Sequence, residues 1–372
     1  MATGHSGGAD ANAEGLLDRL VGRFEGPNTV GNSRGFWVGF AVAVLALAAY
    51  PLAVGSYQAS RFSLFLVYAF LGLSLSIVWG YAGILSFGQV VFFGFAGYTF
   101  GVVSVNFATP AGITAAFVVA VLGGALVAAT LGYFMFYGGV RNVYVTIITL
   151  VSTLVLHTFM AQTAGDAWTI GEAALGGFNG MPTIPNLALG VGGAALTFDS
   201  MTFYYFVLAL LIATYLGLRA LVNSDYGRVM VAVREDEDRT RMFGYDVKRV
   251  KLAVFTLGGA LAGLSGVLYA AWGNYMSPGV FELTFASLPV IWVSVGGRKT
   301  LLGAVVATVG IEFFRNSLGG ELAFVIVGAL LLISILALPG GIVPYVHESY
   351  KRRRGATTSS EPTEASTEVV DS

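Results

Sequence analysis

The segment "DYGRVMVAVREDEDRTRMFGYDVKRVK", Asp225–Lys251, crowds acids and bases together in a chain where charged residues make up only 11% of the total. Upstream lies its opposite: Phe62–Val140 contains no Asp, Glu, Lys, Arg or His. Charge is costly in the hydrocarbon core of a bilayer and is therefore confined to loops, so this contrast reads as an all-α polytopic membrane protein. Hydrophobic residues at 56% and a mean hydropathy of +0.75 place the chain well outside the soluble globular range.

Apolar stretches long enough to cross occur near 36–54, 62–80, 84–105, 112–136, 142–162, 200–220, 250–272 and 321–342. The stretch 283–318 is too long for one helix and is interrupted by Gly296, Gly297, Arg298 and Lys299, so it reads as two short spans. The expected total is about ten crossings. Arg219, Arg228, Arg234, Arg239, Arg241, Lys248, Arg249 and Lys251 predict a cytoplasmic central loop, and Lys351–Arg354 a cytoplasmic C-terminus. Arg34, Arg141 and the Arg298/Lys299 pair fall on the same side, and the Lys-free segment 163–199 on the other. Ten spans with both termini cytoplasmic is self-consistent.

The resulting division is a polar cytoplasmic tail over 1–35, a transmembrane domain over 36–345 and a disordered cytoplasmic tail over 346–372. The domain includes the external segment 163–199 and a cytoplasmic loop over 221–250. The first tail is too acidic for a cleavable signal peptide, and Leu16, Leu17, Leu20, Val21 and Phe24 recur there at the spacing of a short interfacial helix. With no Cys, disulfides and thiolate metal sites are excluded.

No catalytic constellation emerges. His5, His157 and His347 lie far apart without metal-ligand spacing, so no metal site is predicted, and His157 reads as a packing residue inside a span. "GGRKT", Gly296–Thr300, lacks the Gly that a phosphate-binding loop places directly before its Lys. Glu312 and Arg315 stand three residues apart, where they can pair on a helix.

The remaining features belong to transport. Gly80, Gly83 and Gly88 interrupt "WGYAGILSFGQVVFFGFAGYTFG" (Trp79–Gly101), and Gly296 and Gly297 interrupt "VIWVSVGGRKTLLGAV" (Val290–Val305). Gly-interrupted segments in both halves of a chain either allow close helix packing or form discontinuous helices around a midplane pathway. Tyr81, Ser86, Gln89 and Tyr98 in the first, with Trp292 and Ser294 in the second, are the candidate polar lining. In the central loop, Val229, Met230, Val231, Val233, Met242 and Phe243 among the charges predict a short helical pair with a docking surface rather than a tether.

Those two motifs, "GGFNG" (Gly176–Gly180) and "GRVMVAVREDEDRTRMFGYDVKRVKLAVFTLGGALAGLSGVLYA" (Gly227–Ala270) resemble permeases of the branched-chain amino acid and urea ABC importer family, in order from about Leu71 to Pro339. The resemblance implies a loop that docks into an ATP-binding subunit, with Arg234, Glu235, Asp236, Glu237, Arg239, Arg241 and Gly244 in the coupling motif. It implies a second homologous permease, two ATP-binding subunits and an extracytoplasmic solute-binding protein as partners. ATP would be hydrolysed by the partners, with no cofactor on this chain, no enzymatic activity of its own, a place in the cell membrane and no nucleic-acid partner. Arg239, Thr240, Arg241 and Tyr245, Gln89 before Phe92 and Phe93, and Ile291–Trp292 resemble the urea branch more than the amino acid branch. Lys299 departs from both, standing where the family has Gly. Urea is therefore the expected solute, a branched-chain amino acid the alternative, and a passive channel or secondary transporter the rival from another class.

Overall fold

The computed structural model describes residues 24–318 except 191, 193 and 194, together with Gly22 and scattered residues between 325 and 345. The expected interfacial helix, both tails, the span at 321–342 and the basic cluster Lys351–Arg354 lie wholly or largely outside the described residues.

Helix α1, Arg34–Leu75, is capped by Ser33, whose hydroxyl accepts from the Phe36 amide. It passes through Pro51 and breaks at Gly55, where φ is 79°. In a straight helix Tyr50 and Phe62 would be about 18 Å apart along the axis. Their rings lie 4.8 Å apart, so the chain turns back at Gly55 and α1 is two antiparallel limbs. These limbs are the spans expected at 36–54 and 62–80. The second limb runs into a π-helical segment, Ser76–Tyr81, and then an irregular segment that turns at Gly83, where φ is 75°.

The remaining long helices are α2 (Gln89–Asn106), α3 (Pro110–Tyr137), α4 (Asn142–Ala161) and α5 (Ser200–Asn223). The charged loop supplies the short pair expected there, α6 (Asp225–Glu235) and α7 (Glu237–Met242). Ser224 caps α6 and Asp236 caps α7, each side chain accepting from a first-turn amide. Then follow α8 (Val247–Gly273), α9 (Leu283–Gly296) and α10 (Leu301–Leu318). The interruption at Gly296–Lys299 therefore divides 283–318 into two helices, as its glycines predict. Among the described residues seven helices are long and apolar enough to cross a membrane, counting the two limbs of α1 as one. At 14 residues α9 falls short of that length.

The expectation of purely helical structure needs one correction. Between α4 and α5 the chain forms two small antiparallel hairpins, Thr169–Ile170 with Ala173–Ala174 and Ala188–Leu189 with Leu196–Thr197. A further bridge joins Met181 to Met276, so this segment closes over the end of α8. The charged helices α6 and α7 lie at the opposite end of the bundle.

Helix α8 is the centre, packing against α2, α3 and the second limb of α1. Small residues make this possible, because without a hydrophobic drive in lipid, helices associate by close backbone approach. A methyl at Gly266 would stand 1.9 Å from the Phe93 carbonyl oxygen, and one at Gly259 2.1 Å from Ala128 Cβ. Gly266→Ala is expected to destabilise the fold by about 1–3 kcal/mol through overpacking, read as a lower melting temperature in detergent. Gly217→Ala, whose added methyl meets nothing within 4 Å, is expected not to lower it.

Candidate functional site

The charged pole is organised around Arg234, at the last turn of α6. Met230 and Val233 bury the inner face of that helix, which carries Arg234 inward as well. Its side chain is only 16% exposed. Nη1 donates to the Gly80 carbonyl at 2.5 Å, inside the π-helical segment, while Nε and Nη2 donate to Glu235 Oε1 at 3.0 and 2.6 Å. Lys299, from the turn between α9 and α10, reaches the same Glu235 oxygen at 3.5 Å. These hydrogen bonds and the Arg234 and Lys299 charges hold the Glu235 carboxyl below its usual value, so it is ionised at neutral pH.

The two glycine breaks meet here. A methyl at Gly80 would lie 1.8 Å from the carbonyl oxygen of Arg298, and Gly83, at φ 75°, leaves room for the Arg234 stem. Gly297, at φ 106°, turns the chain out of α9. One side chain of α6 thus touches the first break and its neighbour, through Lys299, the second.

Helix α7 carries the outward face. Arg241 pairs with Asp238 at 2.8 Å, Arg239 lies 3.8 Å from Asp236, and Glu237 pairs with the buried Lys251 of α8. Gly244, at φ 89°, turns the chain in open space. Beside it Met242 is 87% exposed and Phe243 76%, apolar tips projecting from a charged surface. A cavity of about 320 Å³ opens next to them, lined by Arg141, Glu237, Arg241, Lys248 and Lys251 among others.

The candidate lining residues do not form one cluster. Tyr81 is buried and donates to the Asn28 carbonyl at 3.1 Å. Ser86 accepts from the Gly88 amide at 3.0 Å and shapes the turn into α2. Gln89 is buried, accepts from Ser74 at 3.2 Å, and its amide nitrogen has no partner among the described residues. The same is true of the Ser76 and Tyr98 hydroxyls, Tyr98 being stacked on Phe281 with ring centres 6.3 Å apart. Trp292 donates to Glu312 at 3.2 Å, and Arg315 completes that pair at 3.0 Å, as the spacing predicts. Ser294 is half-buried.

Residues 59–336 match the family model described as branched-chain amino acid transport system / permease component. The chain belongs to this family. It is 27% identical over 344 residues to the high-affinity branched-chain amino acid transport system permease protein LivM of Escherichia coli K12, covering 85% of this chain and 77% of that protein. It is also 27% identical over 343 residues to the Salmonella typhimurium protein of the same name, with the same coverage. The match to the probable branched-chain amino acid transport permease protein LivM of Methanocaldococcus jannaschii is 24% over 187 residues, 46% of this chain and 53% of that one. No solved structure matches. The protein is accordingly an ABC-type permease subunit, a multi-pass membrane protein rather than an enzyme.

Two features of the permease are absent from the motif reading. Arg219 counts in the sequence only as one of the basic loop markers. In the structure it is 1% exposed and donates to the carbonyls of Phe24, Val30 and Gly31 at 2.6, 3.1 and 2.7 Å, with Phe36 stacked 4.5 Å away. It fastens the residues before α1 to the end of α5. The second feature is Thr146, Thr149 and Thr153 on α4, which pair with the irregular segment Ala82–Gly88. Thr146 donates to the Leu85 carbonyl at 2.9 Å, Thr149 accepts from the Phe87 amide at 3.2 Å and Thr153 donates to the Phe87 carbonyl at 3.4 Å. Their i, i+3, i+7 spacing is the signal that finds them.

Arg219→Ala is expected to remove the Arg219 bonds to the Val30 and Gly31 carbonyls, to leave the Phe24 carbonyl with Asn223, and so to loosen residues 24–32. Limited proteolysis of the purified permease should cut there at least about tenfold faster, because local opening sets cleavage when opening and closing are fast.

Proposed function

We propose that this permease belongs to an ATP-driven importer for branched-chain amino acids, working with a second homologous permease, two ATP-binding subunits and an extracytoplasmic solute-binding protein. The contact that carries the reading is Arg234 Nη1 on the Gly80 carbonyl, because it ties a charged surface helix to a broken helix inside the bundle. The charged pole is then cytoplasmic, both termini lie on that side, and the hairpin pole faces the binding protein. This chain holds no cofactor, and ATP acts on the partners.

The mechanism follows from the contacts. Closure of the ATP-binding subunits presses on the exposed Met242, Phe243 and the α7 charges. Glu237 and Lys251 transmit the load to α8, while α6 moves as a short rod. At its end Arg234 draws on Gly80, where a π turn already has loosened hydrogen bonding. Glu235 draws on Lys299 and the α9–α10 turn in the same stroke.

Branched-chain amino acids are favoured because the relatives that cover most of the chain are named for them. Urea is the second reading, supported by Arg239, Arg241 and Tyr245 in the loop and by the charge-free stretch Phe62–Val140. Uptake of labelled leucine against labelled urea by vesicles carrying the whole complex decides: leucine is expected, and accumulation of urea without leucine sinks the first reading.

Arg234→Ala is expected to lower ATP-driven uptake about 5- to 150-fold, the range of typical coupling free energies, with the complex still assembled. Arg234→Lys keeps the charge but loses the fork that serves Gly80 and Glu235 together, and is expected to recover little. A passive channel would carry the same flux in all three proteins.

A further inference from the structure

Helix α9 enters the bundle part-way through its thickness. Its 14 residues are about 21 Å long, and its C-terminal end meets Glu235 and Gly80 at the charged pole through Arg298 and Lys299. That is about 9 Å less than the roughly 30 Å thickness of a hydrocarbon layer. Glu282 is the residue that precedes it, with the carboxylate accepting from Thr284 at 3.3 Å. Helix α4 gives an independent measure of depth. It starts at the same pole, beside Arg141, and His157 stands fifteen residues beyond Asn142, about 22 Å up the axis. His157 Nε2 and Glu282 Oε1 are 3.9 Å apart. Two helix lengths thus place the pair about 21–22 Å from the charged pole.

The pair is open. The Glu282 side chain is 52% exposed and that of His157 31%. Below them Leu283, Ser287, Val290 and Ser294 repeat at i, i+4, i+7 and i+11 down one face of α9, each exposed or half-buried. A carboxylate, an imidazole and two hydroxyls on an unburied face at this depth cannot be solvated by lipid. By contrast α3, at comparable depth, turns Val118, Val119, Leu122 and Leu126 outward, as a lipid face should.

We propose that this face of α9, with His157 of α4, is a wall of the aqueous translocation pathway, and that Glu282 accepts the ammonium group of the transported amino acid. The inference rests on the amino acid reading above. A 3.9 Å separation is too long for a hydrogen bond, so His157 leaves Glu282 Oε1 open to a cationic donor. A charge-assisted bond to a carboxylate is among the stronger polar contacts available away from water. Ser287 and Ser294 then line the descent toward the charged pole.

Two measurements on the assembled complex test this. The native chain has no cysteine, so Ser287→Cys and Ser294→Cys each introduce a single thiol into it. A membrane-impermeant maleimide is expected to label this chain at both positions, more slowly with leucine present, and not to label Leu126→Cys on the α3 face. Glu282→Gln is expected to raise the KM for leucine at least about 30-fold, the loss for a charge pair missing one member, with kcat changed far less. Glu282→Asp should recover most of the affinity. Unlabelled thiols on α9, or an unchanged KM in Glu282→Gln while the native complex imports leucine, overturns the proposal. A native complex that imports urea and not leucine overturns the amino acid reading itself, and shows this before any variant is made.

Discussion

Hydrocarbon offers no partner to an unpaired peptide group, and Ala82–Gly88 is where the permease meets that constraint most directly. The segment is irregular between a π turn and a helix: the Gly83 and Ile84 amides still bond back to the Trp79 and Val78 carbonyls, while the Leu85 carbonyl and the Phe87 amide and carbonyl need side-chain partners. Thr146, Thr149 and Thr153 supply them from one face of α4. Once the backbone is satisfied there, α2 can begin at Gln89 within the bundle instead of at its surface, and the rest of the architecture adjusts around that start. The small face of α8 comes close to α2, and the Gln89 nitrogen and Ser76 hydroxyl, without partners among the described residues, remain beside the break. Buried polar groups without partners are costly. Their concentration beside an unwound segment marks the part of the core with most to gain from rearrangement.

Charge at the opposite extreme has a similar economy of place. Of the basic residues that mark the loops, Arg219 and Arg234 are turned inward onto backbone carbonyls, and both are arginines. The guanidinium can serve several acceptors in one plane while its weaker hydration lowers the penalty for leaving water. Lysine is used differently. Lys251 meets the Glu237 carboxylate beneath α7, and Lys299 remains largely in solvent, reaching Glu235 from outside. Arg219 anchors and Arg234 connects.

How much of this is legible in the sequence depends on whether the determinant is local. The helical pair in the charged loop is legible because Ser224 and Asp236 cap it and Met230 and Val233 repeat on one face. The division at Gly296–Lys299 is legible because glycines and charges cannot continue an apolar helix. The Glu312–Arg315 pair is legible from helical spacing. By contrast, the span expected from residue 84 begins as a helix only at Gln89, since Ile84, Leu85 and Phe87 are as apolar in an extended chain as in a helix. Composition reports the solvent and not the conformation. Arg219, and the meeting of His157 with Glu282, depend on elements remote in the chain, where no spacing rule applies. The candidate lining scatters for the same reason: Tyr81, Ser86, Gln89 and Tyr98 share a motif but point to different neighbours.

The position of Arg234 and Glu235 at the end of one short helix has a consequence for how two breaks can move together. If each break answered to a different surface element, their timing would depend on two separate docking events. Here adjacent residues hold the Gly80 carbonyl and, through Lys299, the α9–α10 turn, and Arg298 packs its own carbonyl against Gly80. In the proposed coupling, a displacement of α6 would therefore reach both breaks together. The π turn yields more readily than the α-helical limb above it, because its hydrogen bonds are already out of the regular ladder. In the proposed mechanism the second limb of α1 stays packed on α8 while the segment below it moves. Under that proposal, alternating access needs no long-range strain through the bundle: the moving parts would be the broken ends, and the packed centre would be what they move against.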